Sequence, residues 1–296
     1  MTLRPRLLTL VLSSLSLLGF IPQPASLLAA DETYQLAYKF TAGEEFRTQV
    51  VQLATVETKI KGVSQTARSR SVSTKVWKIT KVDGQGNITF ENSVSDVDMW
   101  QSVSGKDEVT FNSLTDKTPP PGYKYVADTI GKPLATITIS PAGKVIDRQS
   151  ELPEHNLGLG DATIPLPTEA VKIGATWSTP EEVRVKTDEG LVKKIQTRQV
   201  FQLQKVETGV ATISVNTQIL TPVSDPKIQS QLVQRLQKGT IKFDLDAGRL
   251  IRKQMDLDES VLGFNGPDSH MLYLSRTTEE PLKDQTAAIK TATTAR

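Results

Sequence analysis

The chain has 296 residues, with 35 basic and 33 acidic side chains and no cysteine, which excludes disulfides, thiolate metal centres and cysteine nucleophiles. Two of the basic residues, Arg4 and Arg6, lie near the N-terminus, and without them the charges balance, so no overall field points to nucleic acid. The length suffices for one large or two modest cores, which must be held by burial alone.

Arg4 and Arg6 precede an apolar run from Leu7 to Ile21, and small residues follow at Ala29 and Ala30. A basic start, an apolar stretch too short for a comfortable span and a small-residue exit predict an export signal over 1–30, cleaved near Ala30.

From 31 to 152 the apolar period is two. Phe46, Val50, Ala54, Val56 and Ile60 share one parity while Arg47, Gln49, Glu57 and Lys59 alternate with them, which predicts a half-buried strand. Ile88 and Phe90 continue the pattern, and Lys61-Gly62 and Asp83-Gly84 supply turns. YKYVADTIGK (123–132) predicts a short helix before the turn SPAGKVIDRQ (140–149). ELPEHNLGLGDATIPLP (151–167) has no periodicity and reads as a linker, placed over 153–164.

The second half, 165–276, rewrites the first. AVKIGATW (170–177) answers YKFTAGEEF (38–46), VFQLQKVETGVATIS (200–214) answers VWKITKVDGQGNITF (76–90), and LDAGRLIRKQ (245–254) answers SPAGKVIDRQ. The matches keep their order, as an internal duplication requires. Asp225 and Pro226 predict a helix start, Ile228, Leu232 and Leu236 fall on one stripe, and Gly239 is expected to end it. From 277 to 296 no apolar period remains, which predicts a disordered tail. Short connections between alternating strands imply antiparallel pairing. The expected fold is mainly β: two similar curved antiparallel lobes, half-barrel-like, each with a short helix.

Chemistry is sparse. Asp244 and Asp246 before Gly248 resemble the start of a calcium loop, but Arg249 stands at the sixth position and Met255 at the twelfth, so a turn led by Asp246 is the better reading. His155 and His270 are the only histidines and too few for zinc; no catalytic, cofactor or metal residues are assigned, and the chain is expected not to be an enzyme. A basic face is expected from Arg68, Arg70 and Lys75 in the first half and Lys193, Lys194 and Arg198 in the second. Ile228, Leu232 and Leu236, with Trp100 as an exposed aromatic, are the expected ligand contacts.

The AVKIGATW motif after its PLP turn, with the paired Ala-Gly turns, resembles an uncharacterised family of exported bacterial proteins, a domain of unknown function. A curved sheet with a helix on its concave side is also similar in architecture to the half-barrel carriers of periplasmic lipids and lipoproteins. The duplicated sheet-plus-helix pattern, the export signal and the missing catalytic constellation lead to the expectation of an exported (periplasmic or extracellular), non-catalytic binding protein for a lipid, lipoprotein or acidic envelope polymer. Nucleic acid is not an expected partner, and membrane contact is peripheral at most. The other expectation is a structural or assembly component of the cell envelope.

Overall fold

The structure, a computed structural model, describes residues 32–150 and 163–282. The expected export signal, most of the linker, His155 and residues 283–296 lie outside them. The described strands are β1 (Thr33–Tyr34), β2 (Glu45–Ile60), β3 (Val63–Val82), β4 (Ile88–Val103), β5 (Val109–Asn112), β6 (Pro133–Ile139), β7 (Val145–Ser150), β8 (Val171–Lys172), β9 (Thr176–Lys186), β10 (Val192–Glu207), β11 (Val210–Ile219), β12 (Lys238–Asp244), β13 (Arg249–Leu262) and β14 (His270–Pro281). Helix α1 (Lys124–Thr129) falls between β5 and β6, and α2 (Pro226–Leu232) between β11 and β12.

All but β1 and β8, which pair with each other, join one open antiparallel sheet. Its order is β7-β6-β4-β3-β2-β14-β13-β12-β11-β10-β9, with β5 attached to β4. The duplication is visible in that order: β2, β3, β4, α1, β6 and β7 answer β9, β10, β11, α2, β12 and β13. The molecule is mainly β, with two similar curved lobes and one short helix in each. Strand β14 has no counterpart in the first lobe. It pairs with β13 on one side and β2 on the other, splicing the lobes into a single sheet.

The repeat extends to individual contacts. Gly43 N–H donates to Ile79 O at 2.9 Å, and Gly174 N–H donates to Leu203 O at 2.7 Å. Phe46 stands opposite Trp77 and Trp177 opposite Phe201, with ring centroids 6.2 and 5.7 Å apart. Period-two sequence turns these rings to one face of the sheet, where a single apolar cluster runs through both lobes. It includes Ile79, Phe90 and Ile137 from the first and Leu203, Ile213 and Phe243 from the second. Each helix covers the wing of its own lobe: Tyr123 and Val126 meet Val94, Val97 and Phe111, while Ile228 and Leu232 meet Val183, Val185 and Ile195.

A strap from Leu36 to Phe40 crosses this core and binds both Ala-Gly corners. Tyr38 N–H donates to Pro141 O at 2.7 Å and Lys39 N–H to Gly248 O at 3.1 Å, while Lys39 Nζ reaches Leu245 O at 2.9 Å. The approach is close enough to require glycine. A Cβ at Gly143 (φ 75°) would lie 2.8 Å from the strap's Tyr38 ring and 2.4 Å from Ile164 O beyond the strap, and one at Gly248 (φ 64°) 2.6 Å from Lys39 N. The second corner is shaped by Asp244, not Asp246: its Oδ1 accepts from Asp246 N at 2.9 Å and Ala247 N at 2.8 Å, while the Asp246 side chain is exposed.

Two boundaries differ from the sequence expectation. Gly239 does not end α2; the helix gives way to a 3₁₀ turn at Val233–Arg235, and Gly239 lies inside β12 between Val215 and Met255. Its glycine is explained by crowding, since a Cβ there would fall 2.0 Å from Gln254 O. Residues 277–281, expected as part of a disordered tail, instead complete β14 and pair with β2, and the rest of that expected tail lies outside the described residues. Polar outward residues hid this strand: Arg276, Thr278 and Glu280 alternate with inward Ser275, Thr277 and Glu279, leaving no apolar period to read.

Candidate functional site

The inner face carries two features beside its apolar core. Thr48 on β2 stands opposite Lys75 on β3, and one row on Val50 stands between Ser73 and Glu279, with Lys253 on β13 opposite Glu279. Lys75 and Glu279 form an ion pair at 3% and 6% side-chain exposure, and Thr48 Oγ1 donates to Glu279 Oε1 at 2.9 Å. Burial pushes the Glu279 carboxyl up, but the Lys75 and Lys253 ammonium charges and the Lys75 and Thr48 hydrogen bonds outweigh it and hold it below the ordinary glutamate value. Beside the pair, Tyr38, Phe46, Trp77, Ile164, Leu250 and Lys253 enclose a cavity of about 20 Å³. Burial pushes the Tyr38 hydroxyl up, and its oxygen accepts from Ile164 N at 2.9 Å.

Further along the same face the cover ends. The central strands β2, β3, β13 and β14 outrun the helices and the apolar cluster, leaving an open cleft of about 210 Å³. Ala54 and Val56 on β2, Ala67 and Ser69 on β3, Gln101 on β4 and Tyr273 on β14 line it, with the main chain of Arg68 between the two β3 residues. Register brings them together: Ala54 faces Ser69, Val56 faces both Ala67 and Tyr273, and Ser69 faces Gln101. Half-burial raises the Tyr273 hydroxyl above its ordinary value. The lining mixes small aliphatic side chains with a hydroxyl, an amide and one phenol, while the Arg68 side chain, alternating with Ala67 and Ser69, projects from the other face of the sheet.

Of the ligand contacts expected from sequence, Ile228 and Leu232 are buried in the α2 core, and Leu236 is half-buried beyond the helix. Neither described cavity lies beneath them. Trp100 is half-buried on β4, its Nε1 donating to Glu108 Oε2 at 3.1 Å. Arg68, Arg70, Lys193, Lys194 and Arg198 are exposed; Arg70 pairs with Asp98 at 3.0 Å, Lys194 with Glu182 at 3.0 Å, and Arg198 donates to Gln218 at 2.8 Å. Lys75 must be struck from the basic face. It shares the inward parity of Trp77 and points into the core, where Glu279 compensates it. Cross-strand parity with Phe46 was the available signal, and the lysines around it in sequence masked it. His270 is exposed at the start of β14, and among the described residues no cluster of three His, Asp or Glu side chains could hold a metal. No helix among them is long and apolar enough to cross a membrane.

Residues 158–250 match a protein family of unknown function, DUF6263, in a stretch that covers less than half the chain and ends beside the second Ala-Gly corner. No curated protein matches the chain. Among solved structures, one of lipovitellin and its lipid–protein interactions is similar at 11% identity and a TM-score of 0.43, over 82% of this chain; this chain spans only 25% of that one. DynF from the dynemicin biosynthesis pathway of Micromonospora chersina is similar at 7% identity and a TM-score of 0.22, covering 90% and 96% of the two chains. A DUF1329 family protein from Desulfovibrio piger is similar at 12% identity and a TM-score of 0.15, covering 77% and 83%. Likeness of this strength carries no argument about function.

Proposed function

We propose that the chain is an exported, non-catalytic binding protein that holds the apolar part of a lipid or lipid-modified ligand in the inner-face cleft. The observation that carries this reading is the uncovered stretch around Val56, Ala67 and Tyr273, on the face that also carries the apolar core. A cleft of about 210 Å³ is smaller than most drug-sized sites, so it suits a segment of one acyl chain while the rest of the ligand stays outside.

The test is native mass spectrometry of residues 31–296 after incubation with lauric acid or a lysophospholipid. The expected spectrum has a one-to-one adduct for the parent chain and none for Ala54→Trp, which fills the cleft. A bare mass for the parent, or an equal adduct in the variant, would overturn the reading. A second reading, a structural or assembly component, is favoured by one observation: every residue of edge strand β7 is exposed, and among the described residues nothing pairs with its outer edge, which another protein could use. A stoichiometric protein crosslinked through β7, with no small-molecule adduct, would favour it.

A further inference from the structure

We propose that the hairpin tips at the cleft end of the sheet are a lipid-surface contact, through which the molecule seats itself on a bilayer. The inference builds on the cleft reading but has its own observations. Pairing of Lys59 with His270 sets the β2–β3 tip beside the β13–β14 tip, and Ser104 N–H, bonded to Thr66 O at 2.9 Å, sets the turn after β4 beside them. Three connections therefore share one end of the sheet. Two of them carry large aliphatic side chains thrust into solvent, Val63 and Leu262, each 71% exposed. Both side chains are more exposed than their roles in a hairpin require, since turn chemistry here is supplied by Lys61-Gly62 and Gly263 to Gly266.

The cleft leads to this end. Along the inner face, rows of β2 and β3 run from Ala54–Ser69 through Val56–Ala67 and Thr58–Gln65 to Ile60–Val63. Ile60 lies four residue steps beyond Val56, about 13 Å of strand. An acyl chain leaving a bilayer at the tips would thus meet the cleft without crossing a polar surface wider than one row.

The chemistry favours a bilayer over a protein. Val63 begins β3 and Leu262 ends β13, projecting from opposite faces of the same end of the sheet, and fluid hydrocarbon fills around such points without the complementary shape a protein interface needs. Lys59, Lys61 and Lys106 flank the tips, exposed and without an ion-pair partner among the described residues, and lysine stems of that kind reach back to headgroups. Glu57, Asp107 and Asp268 also lie at this end, so the contact is led by apolar insertion and needs no anionic lipid.

The experiment is co-sedimentation of residues 31–296 with phosphatidylcholine vesicles, comparing the parent chain with the Val63→Asp/Leu262→Asp variant. The parent should pellet with vesicles, and the variant should partition roughly tenfold less or weaker still. Both positions are exposed, so an unchanged thermal midpoint should accompany the loss; the single exchanges Val63→Ser and Leu262→Ser, expected to give intermediate binding, keep the test open if the double variant unfolds. A parent that stays in the supernatant, or variants that bind as it does, would overturn the proposal. So would a lipid-free dimer that both exchanges dissolve, which assigns the tips to a second copy. Vesicle binding by the parent without any lauric acid adduct would sink the cleft reading and leave the tips standing.

Discussion

Replacing Glu279 by Gln leaves the Lys75 ammonium inside the sheet without its counter-charge, and an unpaired buried charge costs far more than the pair contributes. We expect Glu279→Gln to lose roughly 3–5 kcal/mol in urea unfolding, and the double exchange Lys75→Met/Glu279→Leu to recover most of it. The pH dependence has a definite sign. Because the folded carboxyl is held below the glutamate value of about 4.3, its stabilisation is complete above that value and is lost as pH falls through the lowered folded one. The stability gap between parent and Glu279→Gln should hold steady from pH 7 to about pH 5 and narrow only below. A gap that narrows between pH 7 and pH 6 would show that the carboxyl is not held low. Neither partner was legible as a pair in the sequence. Lys75 sits among Arg68, Arg70, Lys78 and Lys81, and Glu279 among residues with no apolar period, so each looked like a solvated side chain until strand register set them opposite the same wall.

The Ala-Gly corners were legible as turns, and their repetition identified the two lobes, because glycine at positive φ leaves a mark in the sequence. That both corners grip one strap was not legible, since Lys39 and Gly248 are far apart in the chain and a hydrogen bond to a carbonyl has no residue preference. The strap makes the glycines unequal to others in the molecule. Gly43, at φ 87°, has open space where a Cβ would go, so Gly43→Ala carries only the backbone cost of about 1–2 kcal/mol. Gly248→Ala and Gly143→Ala add a collision with backbone and should cost roughly 2–4 kcal/mol each. Urea midpoints of the three variants decide it, and equal losses would mean the strap yields without cost. Helix α2 shows the complementary lesson. Its cap was readable because Asp225 Oδ1 accepts from Lys227 N at 2.9 Å, but its end was not, because Gly239 serves close approach of β12 to β13 and no cap.

The sheet as a whole was predictable in class and in its duplication, and unpredictable at its centre. Strand β14 breaks the repeat, carries no alternating apolar signal, and yet holds the lobes side by side through β13 and β2. The open cleft follows from the same arrangement, because the long central strands run past the helices that cover each wing. Such a feature depends on relative element length, which periodicity does not encode. A chain ending at Gly266 lacks β14 and with it Glu279, so we expect no cooperative thermal transition from residues 31–266. Recovery of a native-like transition by that fragment would show that the lobes stand alone.

The place of β14 also fixes an order of events. Synthesis delivers β2 well before its second neighbour, so a sixteen-residue ribbon waits with one side unzipped until β14 is made. Loop-closure entropy makes that final zipping slow, and an idle edge of this length recruits other chains. Any copy in which β14 is undocked therefore offers this long edge of β2 to other chains.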